Sequence, residues 1–411
     1  MRILFLANRI PFPPYRGDKL KIYNLAKELH KRHSLKLVTF YEKPEEQAYR
    51  MDLLRFFETV DLVYLGRIKS YFQVAKGLLL NKLPLQVNFF RNREMEEAVA
   101  NLIYTFRPDV IHVQHLRMAQ FIPLHYRNKA ILDLPDAISM YYQRVRSFTQ
   151  NPILKWIYNL EILRLKEYEN SVLSKFNKVL CCSQEDLNYL KNIHPFPRYA
   201  VLENGVDVEL YSPHKHDQFS ELAPSNSVKV ENKEQIILFT GNMNYAPNVD
   251  AVVYFAQEIF PQILSNWPDA IFEIAGQSPV KKVLLLAQQP NIRVTGFLPS
   301  LKEAYAKADL VVAPLRFGAG TQNKVLEALS MEIPVVCTPI GFFGLGLKNG
   351  EGIWCETESE AFASRIETIL IDIENHQKLA RIAAVDVRKR FNWRTIAKKL
   401  ETYCTVLQNE E

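Results

Sequence analysis

The chain has 411 residues, of which 48% are hydrophobic and 23% are charged. This length is too great for one ordinary domain and suits two, and the composition excludes collagen-like, coiled-coil and intrinsically disordered proteins. No apolar run reaches about 18 residues, so we predict no membrane-spanning helix. The first 19 residues lack a long apolar segment and a small-residue cleavage site, and we interpret them as a strand and loop rather than a signal peptide.

The cysteines and the charges indicate a compartment and a class of partner. The five cysteines form no C-x-x-C pair, which argues against a disulfide framework and predicts a reducing, cytoplasmic location. Residues 1–200 contain 31 Lys and Arg against 19 Asp and Glu, a net charge of +12, whereas residues 201–411 contain 20 against 26, a net charge of −6. We therefore expect two domains with different partners, and the basic one could face anionic lipid, phosphate groups or nucleic acid.

Strand and helix patterns alternate along the first 200 residues. A helical period covers residues 17–32, between the first two apolar runs. The predicted strands are the apolar runs at residues 2–7, 34–41, 61–66, 109–114, 130–134, 178–183 and 200–204. Nearly continuous apolar strands that alternate with helices predict a parallel sheet covered on both faces.

The same alternation returns after a polar interruption. Residues 211–234, which include His214 and His216, predict a solvated loop. An amphipathic helix is predicted over residues 387–407. The further predicted strands lie at residues 235–241, 270–276, 292–296, 309–314 and 334–339. The chain is therefore predicted to contain two α/β domains in tandem.

The first predicted strand is followed by a proline- and glycine-containing loop over residues 8–19. Ligands of open parallel sheets bind at the carboxyl ends of strands, and Gly17 would let the backbone approach one closely. Asp18, beside it, is a candidate catalytic residue. The alternative is an ordinary turn in which Asp18 caps the following helix.

Polar side chains also end the strand predicted at residues 109–114. Strand alternation places His112 and Gln114 on one face, and His115 lies just beyond the strand end, before Arg117. A histidine at that place could meet a substrate hydroxyl, whereas the alternative is a structural histidine. The sequence has no H-E-x-x-H motif and no Cys/His spacing typical of zinc, so no metal site is predicted.

The most informative segment is VVAPLRFGAGTQNKVLEALSMEIPVVCTPIG, residues 311–341. A strand is followed by the Gly318–Gly320 loop and a helix that begins near Thr321. The free N–H groups and the dipole of that helix could hold a pyrophosphate. Lys324 and Glu327, on one face of the helix, could then offset phosphate charge and accept two ribose hydroxyls.

This segment resembles the donor-site signature of family-4 retaining glycosyltransferases, which have the GT-B fold of two Rossmann-like domains. Further motifs that resemble this family occur in the same order at residues 108–115, 203–207, 238–255, 272–279 and 294–299, so the resemblance covers nearly the whole chain. The sequence pattern most resembles that of sugar transferases of bacterial exopolysaccharide clusters. The resemblance implies an acceptor-binding domain over residues 1–200, a donor-binding domain over residues 201–386 and a cleft between them. It also implies that the C-terminal helix, within residues 387–411, crosses back to the first domain.

The resemblance also implies roles for individual residues. Glu327 matches the second glutamate of the E-x7-E motif, which holds the donor ribose, while Ala319 stands where the first glutamate is expected. His115 or His112 lies near the histidine that contacts the transferring sugar. The remaining matches are Gly17 in the N-terminal glycine loop, Gly241 and Asn242 in the glycine loop of the donor domain, Gly296 and Phe297 at the nucleotide base, and Gly318, Ala319, Gly320 and Thr321 over the diphosphate and sugar.

Basic residues that often follow the Gly241 loop in this family are missing here, because Asn242, Asn244 and Asn248 occupy the segment. Arg316 and Lys324 are then the candidate charge partners of the diphosphate. The implied reaction is transfer of a sugar from a nucleoside diphosphate sugar to a hydroxyl with retention of anomeric configuration, with no cofactor or metal. Stabilisation of the leaving diphosphate would be its central catalytic task.

Two other functions are compatible with the same residues. A GT-B nucleotide-sugar epimerase would need acid and base carboxylates, for which Asp133, Asp136 and Glu203 are available. A non-catalytic nucleotide-sugar-binding subunit of a polysaccharide assembly complex would explain Ala319.

The acceptor is not evident from the sequence, but residues 67–93 interleave basic residues with aromatic and aliphatic ones. Such a stretch could rest on an anionic membrane, the inner face of the plasma membrane, and meet a lipid-linked saccharide acceptor. The alternative is a core-facing helix with a solvated basic face. No aromatic-basic platform or helix-turn-helix pattern predicts a nucleic-acid partner.

Overall fold

The computed structural model describes residues 1–195, 198–213 and 234–409, and the chain divides into two compact units. Unit 1 comprises Met1–Asn204, Ala319–Thr321 and Trp393–Glu411, and unit 2 comprises Gly205–Gly318 and Gln322–Asn392. The predicted boundaries, by comparison, lie at residues 200 and 386. Residues 214–233 of the predicted polar loop, with His214 and His216, lie outside the described residues.

Unit 1 contains a seven-stranded parallel sheet in the order β3-β2-β1-β4-β5-β6-β7. Its strands are β1 Arg2–Ala7, β2 Ser34–Tyr41, β3 Thr59–Tyr64, β4 Val110–Gln114, β5 Ala130–Leu134, β6 Lys178–Cys181 and β7 Tyr199–Val201. Its first eight helices are α1 Gly17–Leu29, α2 Arg50–Leu53, α3 Arg67–Leu80, α4 Leu85–Phe89, α5 Arg93–Phe106, α6 Ile138–Phe148, α7 Pro152–Leu173 and α8 Gln184–Ile193. All seven predicted strands of this half are present.

Both faces of this sheet are buried, which explains why its strands are continuous apolar runs. Along β1, Ile3 and Phe5 belong to one hydrophobic core, whereas Leu4 and Leu6 belong to the core on the opposite face. Successive side chains of a strand point to opposite faces, so each strand supplies both cores.

Unit 2 contains a six-stranded parallel sheet in the order β10-β9-β8-β11-β12-β13. Its strands are β8 Ile236–Thr240, β9 Ile271–Ala275, β10 Ile292–Gly296, β11 Leu310–Ala313, β12 Val335–Cys337 and β13 Ile353–Cys355. Its helices are α9 Ala246–Tyr254, α10 Phe260–Asn266, α11 Lys281–Leu284, α12 Lys302–Lys307, α13 Asn323–Ser330, α14 Pro339–Phe342, α15 Ser359–Ile371 and α16 Ile373–Arg390. The edge strand β13 is absent from the prediction.

The prediction of one continuous helix over residues 387–407 is wrong. Helix α16 ends at Arg390, and a new helix, α17 Trp393–Asn409, begins after a two-residue break. The break forms because Asn392 makes a parallel β-bridge with Val206, whose N–H donates to the Phe391 carbonyl at 2.7 Å. As predicted, the last helix returns to the first domain, since α17 belongs to unit 1 and packs against α1.

Each sheet has a point at which its strand order reverses. In unit 1 this point lies between β1 and β4, and in unit 2 it lies between β8 and β11. Ligands of doubly wound sheets bind at the carboxyl ends of the strands that flank such a point. The loops that contain Gly17, His115, Gly241 and Gly318 all follow these four strands. Within the described ranges, none of the helices has both the length and the apolar character needed to cross a membrane.

Candidate functional site

Three glycines end adjacent strands of unit 2 and bring their loops together. Gly241 follows β8, Gly276 follows β9 and Gly296 ends β10. The Gly276 N–H donates to the Gly296 carbonyl at 3.0 Å, and a Cβ at Gly276 would lie 1.7 Å from the Gly241 carbonyl oxygen. Only glycine fits there. A glycine is therefore required at position 276 for this edge to form. Gly276 is not among the predicted site residues.

Lys324 is buried against the Gly241 loop. Its Nζ donates to Asn248 Oδ1 at 2.7 Å and lies 4.0 Å from the centroid of the Phe239 ring. Asn248 Nδ2 in turn donates to the Asn242 carbonyl at 3.0 Å, so the amide connects the lysine to the loop. Burial lowers the pKa of Lys324 to about 7, although nearby Glu327 acts in the opposite direction. Below that pH a positive charge is therefore available here without a basic residue in the loop itself.

Glu327, one turn further along α13, is held by a tyrosine. Tyr305 donates its hydroxyl to Glu327 Oε2 at 2.8 Å, and the same hydroxyl lies 2.7 Å from Thr240 Oγ1. Burial raises the pKa of Glu327, while the hydrogen bond from Tyr305 and the charge of Lys324 lower it. Tyr305 thus fixes the carboxylate and favours its charged form. No motif in the sequence points to Tyr305, which lies 18 positions before the first residue of α13.

Replacing Tyr305 with phenylalanine should weaken nucleotide binding by about three- to tenfold, because a hydrogen bond to a charged group is lost. The pKa of Glu327 should rise further, so binding should fall at a higher pH as the solution is acidified. Isothermal titration with a nucleoside diphosphate sugar, which has no phosphate that titrates between pH 5 and pH 8, measures both effects over that range. A uniform loss of affinity at every pH would indicate a general structural defect instead.

Arg316 already has an acidic partner. Its guanidinium makes a two-point contact with the Asp250 carboxylate, at 2.8 Å and 2.5 Å, and lies 4.6 Å from the centroid of the Tyr254 ring. The hydrogen bond with Asp250 raises the pKa of Arg316. Of the two predicted charge partners, Lys324 is therefore the one that has no carboxylate within ion-pair distance in the described part of the chain.

The residues around Gly318 divide between the two units. Gly318 lies beside Pro247 and Ile340 in unit 2. Ala319, Gly320 and Thr321 belong to unit 1, where Ala319 packs on the hydrophobic core and the Thr321 hydroxyl donates to the Cys182 carbonyl at 3.0 Å. Gly320 has a φ of +79°, and a Cβ there would lie 2.8 Å from the Pro135 carbonyl oxygen.

The nucleotide-base candidates lie at the end of β10. Gly296 has a φ of +71°, a conformation that glycine adopts readily, and it marks an irregularity in the pairing of β10 with β9. Phe297 follows it and is 52% exposed.

In unit 1, Asp18 is surrounded by cations at the start of α1. Gly17 and Asp18 are the first two residues of this helix. The Asp18 carboxylate lies 3.2 Å from Arg9 Nε, 3.7 Å from Arg16 Nε and 3.6 Å from His115 Nε2. Burial opposes its ionisation, but Arg9, His115 and Arg16 together lower the pKa of Asp18 far below the ordinary value. Asp18 is therefore an anion at any physiological pH and not a proton donor.

His115 has an unusual backbone and a defined tautomer. Its φ is +73°, uncommon for a residue other than glycine. Arg117 Nη2 donates to His115 Nδ1 at 3.4 Å, so the proton of the neutral ring resides on Nε2, the atom that faces Asp18. Burial and the charge of Arg117 lower the pKa of His115 to about 4. The imidazole is thus neutral near pH 7 and offers an N–H donor.

His112 has a different setting. It is fully buried, and its Nε2 lies 3.1 Å from Asp133 Oδ2. Lys21 Nζ donates to the same carboxylate at 2.7 Å. Of the carboxylates considered for an epimerase, Asp133 is thus enclosed in this network, and Glu203 forms an ion pair with Lys399 at 2.8 Å. The described residues contain no group of three or more His, Cys, Asp or Glu side chains placed to hold a metal ion.

Two family models match the chain. Residues 22–210 match Glycosyltransferase Family 4, and residues 234–372 match Glycosyl transferases group 1. An uncharacterized 44.6 kDa protein from the cps region of Klebsiella pneumoniae is 24% identical over 394 residues, which are 92% of this chain and 93% of that protein.

Solved structures show the same fold. Sucrose-phosphate synthase from Thermosynechococcus elongatus has a TM-score of 0.74 at 14% identity, and all of both chains is covered. HepE from Anabaena, in complex with UDP and glucose, has a TM-score of 0.65 at 17% identity, with 98% of this chain and 99% of that chain covered. The predicted family and the two Rossmann-like domains are confirmed. The chain belongs to the glycosyltransferases, as a nucleotide-sugar-dependent enzyme of the GT-B fold with a family 4 domain followed by a group 1 domain.

Proposed function

We propose that this enzyme transfers a hexosyl group from a nucleoside diphosphate sugar to a hydroxyl acceptor with retention of anomeric configuration, in the synthesis of a cell-surface polysaccharide or glycolipid. The observation that carries the proposal is the pair of side chains Lys324 and Glu327 beside the Gly241 loop, at the strand-order reversal of unit 2. The cps-region relative supports the biological role, and the HepE complex makes UDP-glucose the first donor to test.

In this proposal unit 2 holds the donor. The Glu327 carboxylate, oriented by Tyr305, accepts the ribose hydroxyls, and Phe297 stacks on the base. Lys324 donates to the diphosphate, with N–H groups of the Gly241 and Gly318 loops beside it. Negative charge develops on the diphosphate as the glycosidic bond breaks, so a donor placed there lowers the barrier. Asn248 keeps the Lys324 ammonium aimed at the loop before the donor binds.

Unit 1 supplies groups for the sugar and the acceptor. The neutral His115 ring offers its Nε2–H to a sugar hydroxyl. Asp18 already neutralises arginine charge, which makes it a weak nucleophile, so the proposed mechanism retains configuration without a covalent carboxylate intermediate. Asp18 acts by positioning His115 and by favouring positive charge that develops on the sugar.

The stereochemistry of the product tests this mechanism. UDP-glucose, which has an α-linked glucose, should give an α-linked product with extracts or synthetic acceptors of the host polysaccharide, as read from the anomeric proton coupling in NMR spectra. A β-linked product would overturn retention. Turnover of donor to an epimeric nucleotide sugar without an acceptor would overturn the transfer reaction itself.

We further propose that helix α3 rests on an anionic membrane. The helix turns its small residues inward, because its buried positions are Ser70 and Gly77, and a Cβ at Gly77 would lie 2.3 Å from the Asn88 side chain. Its large apolar side chains are exposed instead: Ile68, Tyr71, Phe72, Leu79 and Leu80. The predicted alternative, a core-facing helix, does not fit this arrangement.

The charges around this apolar face match an anionic surface. Lys69 and Lys76 on α3 and Lys82 just after it are exposed. An apolar face flanked by lysines is typical of helices that lie in the membrane interface and prefer anionic lipids. Such contact would bring unit 1 close to a lipid-linked acceptor.

Replacing Phe72 and Leu79 together with serine should reduce binding to phosphatidylglycerol vesicles by about tenfold or more, since each large apolar side chain contributes about 1.5–3 kcal/mol when buried. Vesicle flotation measures the bound fraction. The matched control replaces Ile382 and Val385, two exposed apolar residues of α16, with serine and should bind as the unaltered protein does. Equal binding by both double variants, or no binding by the unaltered protein, would contradict the membrane proposal.

A further inference from the structure

Buried polar atoms without a hydrogen-bond partner concentrate at one edge of unit 1. Twelve such side-chain atoms occur among the described residues, and five of them belong to Asn8, Arg9, His115 and Arg117. Asn8 and Arg9 directly follow β1, and His115 and Arg117 directly follow β4, so the four residues flank the strand-order reversal. Buried polar groups in native proteins are nearly always hydrogen-bonded, so unpartnered donors gathered in one place indicate a ligand.

The unpartnered atoms are mostly donors. Two of them are Nε of Arg117 and Nδ2 of Asn8. The other two, Nε of Arg9 and Nε2 of His115, lie 3.2 Å and 3.6 Å from the Asp18 carboxylate but make no hydrogen bond with it. The one acceptor is Oδ1 of Asn8. Asn8 is 2% exposed and His115 is 7% exposed, so bulk water cannot supply the missing hydrogen-bond partners of either side chain. A set of N–H donors that includes two guanidinium groups suits an oxyanion.

Positive charge exceeds negative charge among Arg9, Arg117 and Asp18. The Arg9 guanidinium is paired with the Asp18 carboxylate at 3.2 Å, whereas the Arg117 guanidinium is not. The Arg117 side chain donates to His115 Nδ1 and lies over the Phe90 ring at 5.2 Å, and no carboxylate of the described residues is within 4.0 Å of its guanidinium.

Asp136, a further acidic residue whose charge acts on Arg117, is a weak counter-charge. Burial, with the charge of Asp186, raises the pKa of Asp136 to about 7. Burial and repulsion from Arg9 lower the pKa of Arg117. The lowered pKa of Arg117 is the direction expected where positive charges are crowded, and a bound anion would relieve that repulsion.

From this arrangement we propose that Arg117, with Arg9 and Asn8, binds a phosphate group carried by the acceptor, so that the enzyme acts on phosphate-bearing acceptors rather than on neutral sugars. The inference rests on the proposed transferase function and deepens it. Two planar guanidinium groups can each give a phosphate two parallel hydrogen bonds, and a phosphate has enough oxygens to satisfy them together with the Asn8 amide.

The experiment uses inorganic pyrophosphate as the probe, titrated into the full chain that is already saturated with UDP. Saturation occupies the donor diphosphate position, so further binding reports a second anion site. The unaltered protein should bind pyrophosphate, and Arg117→Gln should weaken that binding by about tenfold or more, the loss expected for a charged two-point contact. Its affinity for UDP should stay within twofold.

The control variant is Arg91→Gln, which removes an exposed basic residue of the same unit and carries the same change in net charge. It should bind pyrophosphate as the unaltered protein does. Arg9→Gln is a second site variant, so the test does not depend on the folding of one protein. Thermal unfolding of each variant without ligand identifies any that is not folded.

Three results would overturn the proposal. Pyrophosphate binding that survives Arg117→Gln and Arg9→Gln would show that the anion binds elsewhere. A loss of UDP affinity in Arg117→Gln, with pyrophosphate unaffected, would assign the arginine to the donor. Binding of glucuronate as tight as that of pyrophosphate, and equally dependent on Arg117, would assign a carboxylate acceptor. Failure of UDP to bind at all would instead count against the proposed donor site, and the dependence of pyrophosphate binding on Arg117 and Arg9 would still test the present proposal.

Discussion

Replacing Glu327 with alanine is expected to weaken the binding of UDP-glucose by about 100-fold, because a partly buried carboxylate that accepts two ribose hydroxyls contributes roughly 1.5 kcal/mol or more through each. The ribose is common to every uridine ligand. Uridine and UDP-glucose should therefore lose affinity by the same factor, and their ratio of dissociation constants should not change. Isothermal titration and ligand-observed NMR measure the two constants.

The control is Glu303→Ala, which removes an exposed glutamate of α12 near Tyr305 in sequence. It should bind both ligands normally. Unchanged affinity in Glu327→Ala would show that Glu327 does not bind the ribose. A loss of affinity confined to UDP-glucose would show that Glu327 binds the diphosphate or the sugar instead.

Replacing Lys324 with methionine should lower kcat/KM by about 100- to 1,000-fold, the usual cost of removing one donor to developing negative charge. Uridine binding should be unaffected, since uridine has no phosphate. Methionine preserves much of the length of the side chain, so it keeps the packing against Phe239 while removing the charge. Steady-state kinetics with UDP-glucose, together with uridine titrations, separates this variant from Glu327→Ala.

The pH dependence of donor binding provides a second test of Lys324. Its pKa is lowered to about 7 by burial, so the ammonium is present below that pH and is lost as the pH rises above it. A bound diphosphate stabilises the charged form, and binding above pH 7 must therefore take up a proton. We expect the affinity for UDP-glucose to fall by up to about tenfold per pH unit between pH 7 and pH 8.5.

UDP-glucose has no phosphate that titrates in this range, so the change belongs to the protein. Uridine should bind equally at pH 7 and pH 8.5, below the range in which most of its uracil N3–H ionises, and Lys324→Met should show no such pH dependence with UDP-glucose. A flat profile for the unaltered enzyme would mean that Lys324 keeps its proton throughout, and the diphosphate charge would then be balanced in another way.

The two sheets could be predicted because most of their strands are apolar runs, and each run can be identified from its own residues alone. The strand Ile353–Cys355 could not, since only three residues form it and β12 alone pairs with it. The break between α16 and α17 could not be predicted from the sequence either. Neither glycine nor proline marks it, and its cause is a bridge to Val206, 186 positions earlier in the chain.

The candidate site shows the same limit more sharply. The sequence shows Lys324 and Glu327 on one helix face, because i and i+3 positions are close by helical geometry. It does not show that Lys324 donates to Asn248 or that Tyr305 donates to Glu327. These hydrogen bonds join separate elements that are far apart in sequence, and no local periodicity indicates them. Arg316 illustrates the converse: its position in the motif suggested a diphosphate partner, but Asp250 on α9 pairs with it.

The backbone of His115 has a consequence for engineering. A φ of +73° at a histidine costs on the order of 1–3 kcal/mol, and glycine would avoid much of it. Two main-chain hydrogen bonds, from His115 N–H to the Asp133 carbonyl at 2.9 Å and from Met118 N–H to the His115 carbonyl at 3.0 Å, hold the residue in place. The fold thus gives up stability at this turn in order to present an imidazole. A search for heat-resistant variants would select substitutions here that also remove the ring, so thermostabilisation of this enzyme should leave the turn unaltered and seek its gains elsewhere in the chain.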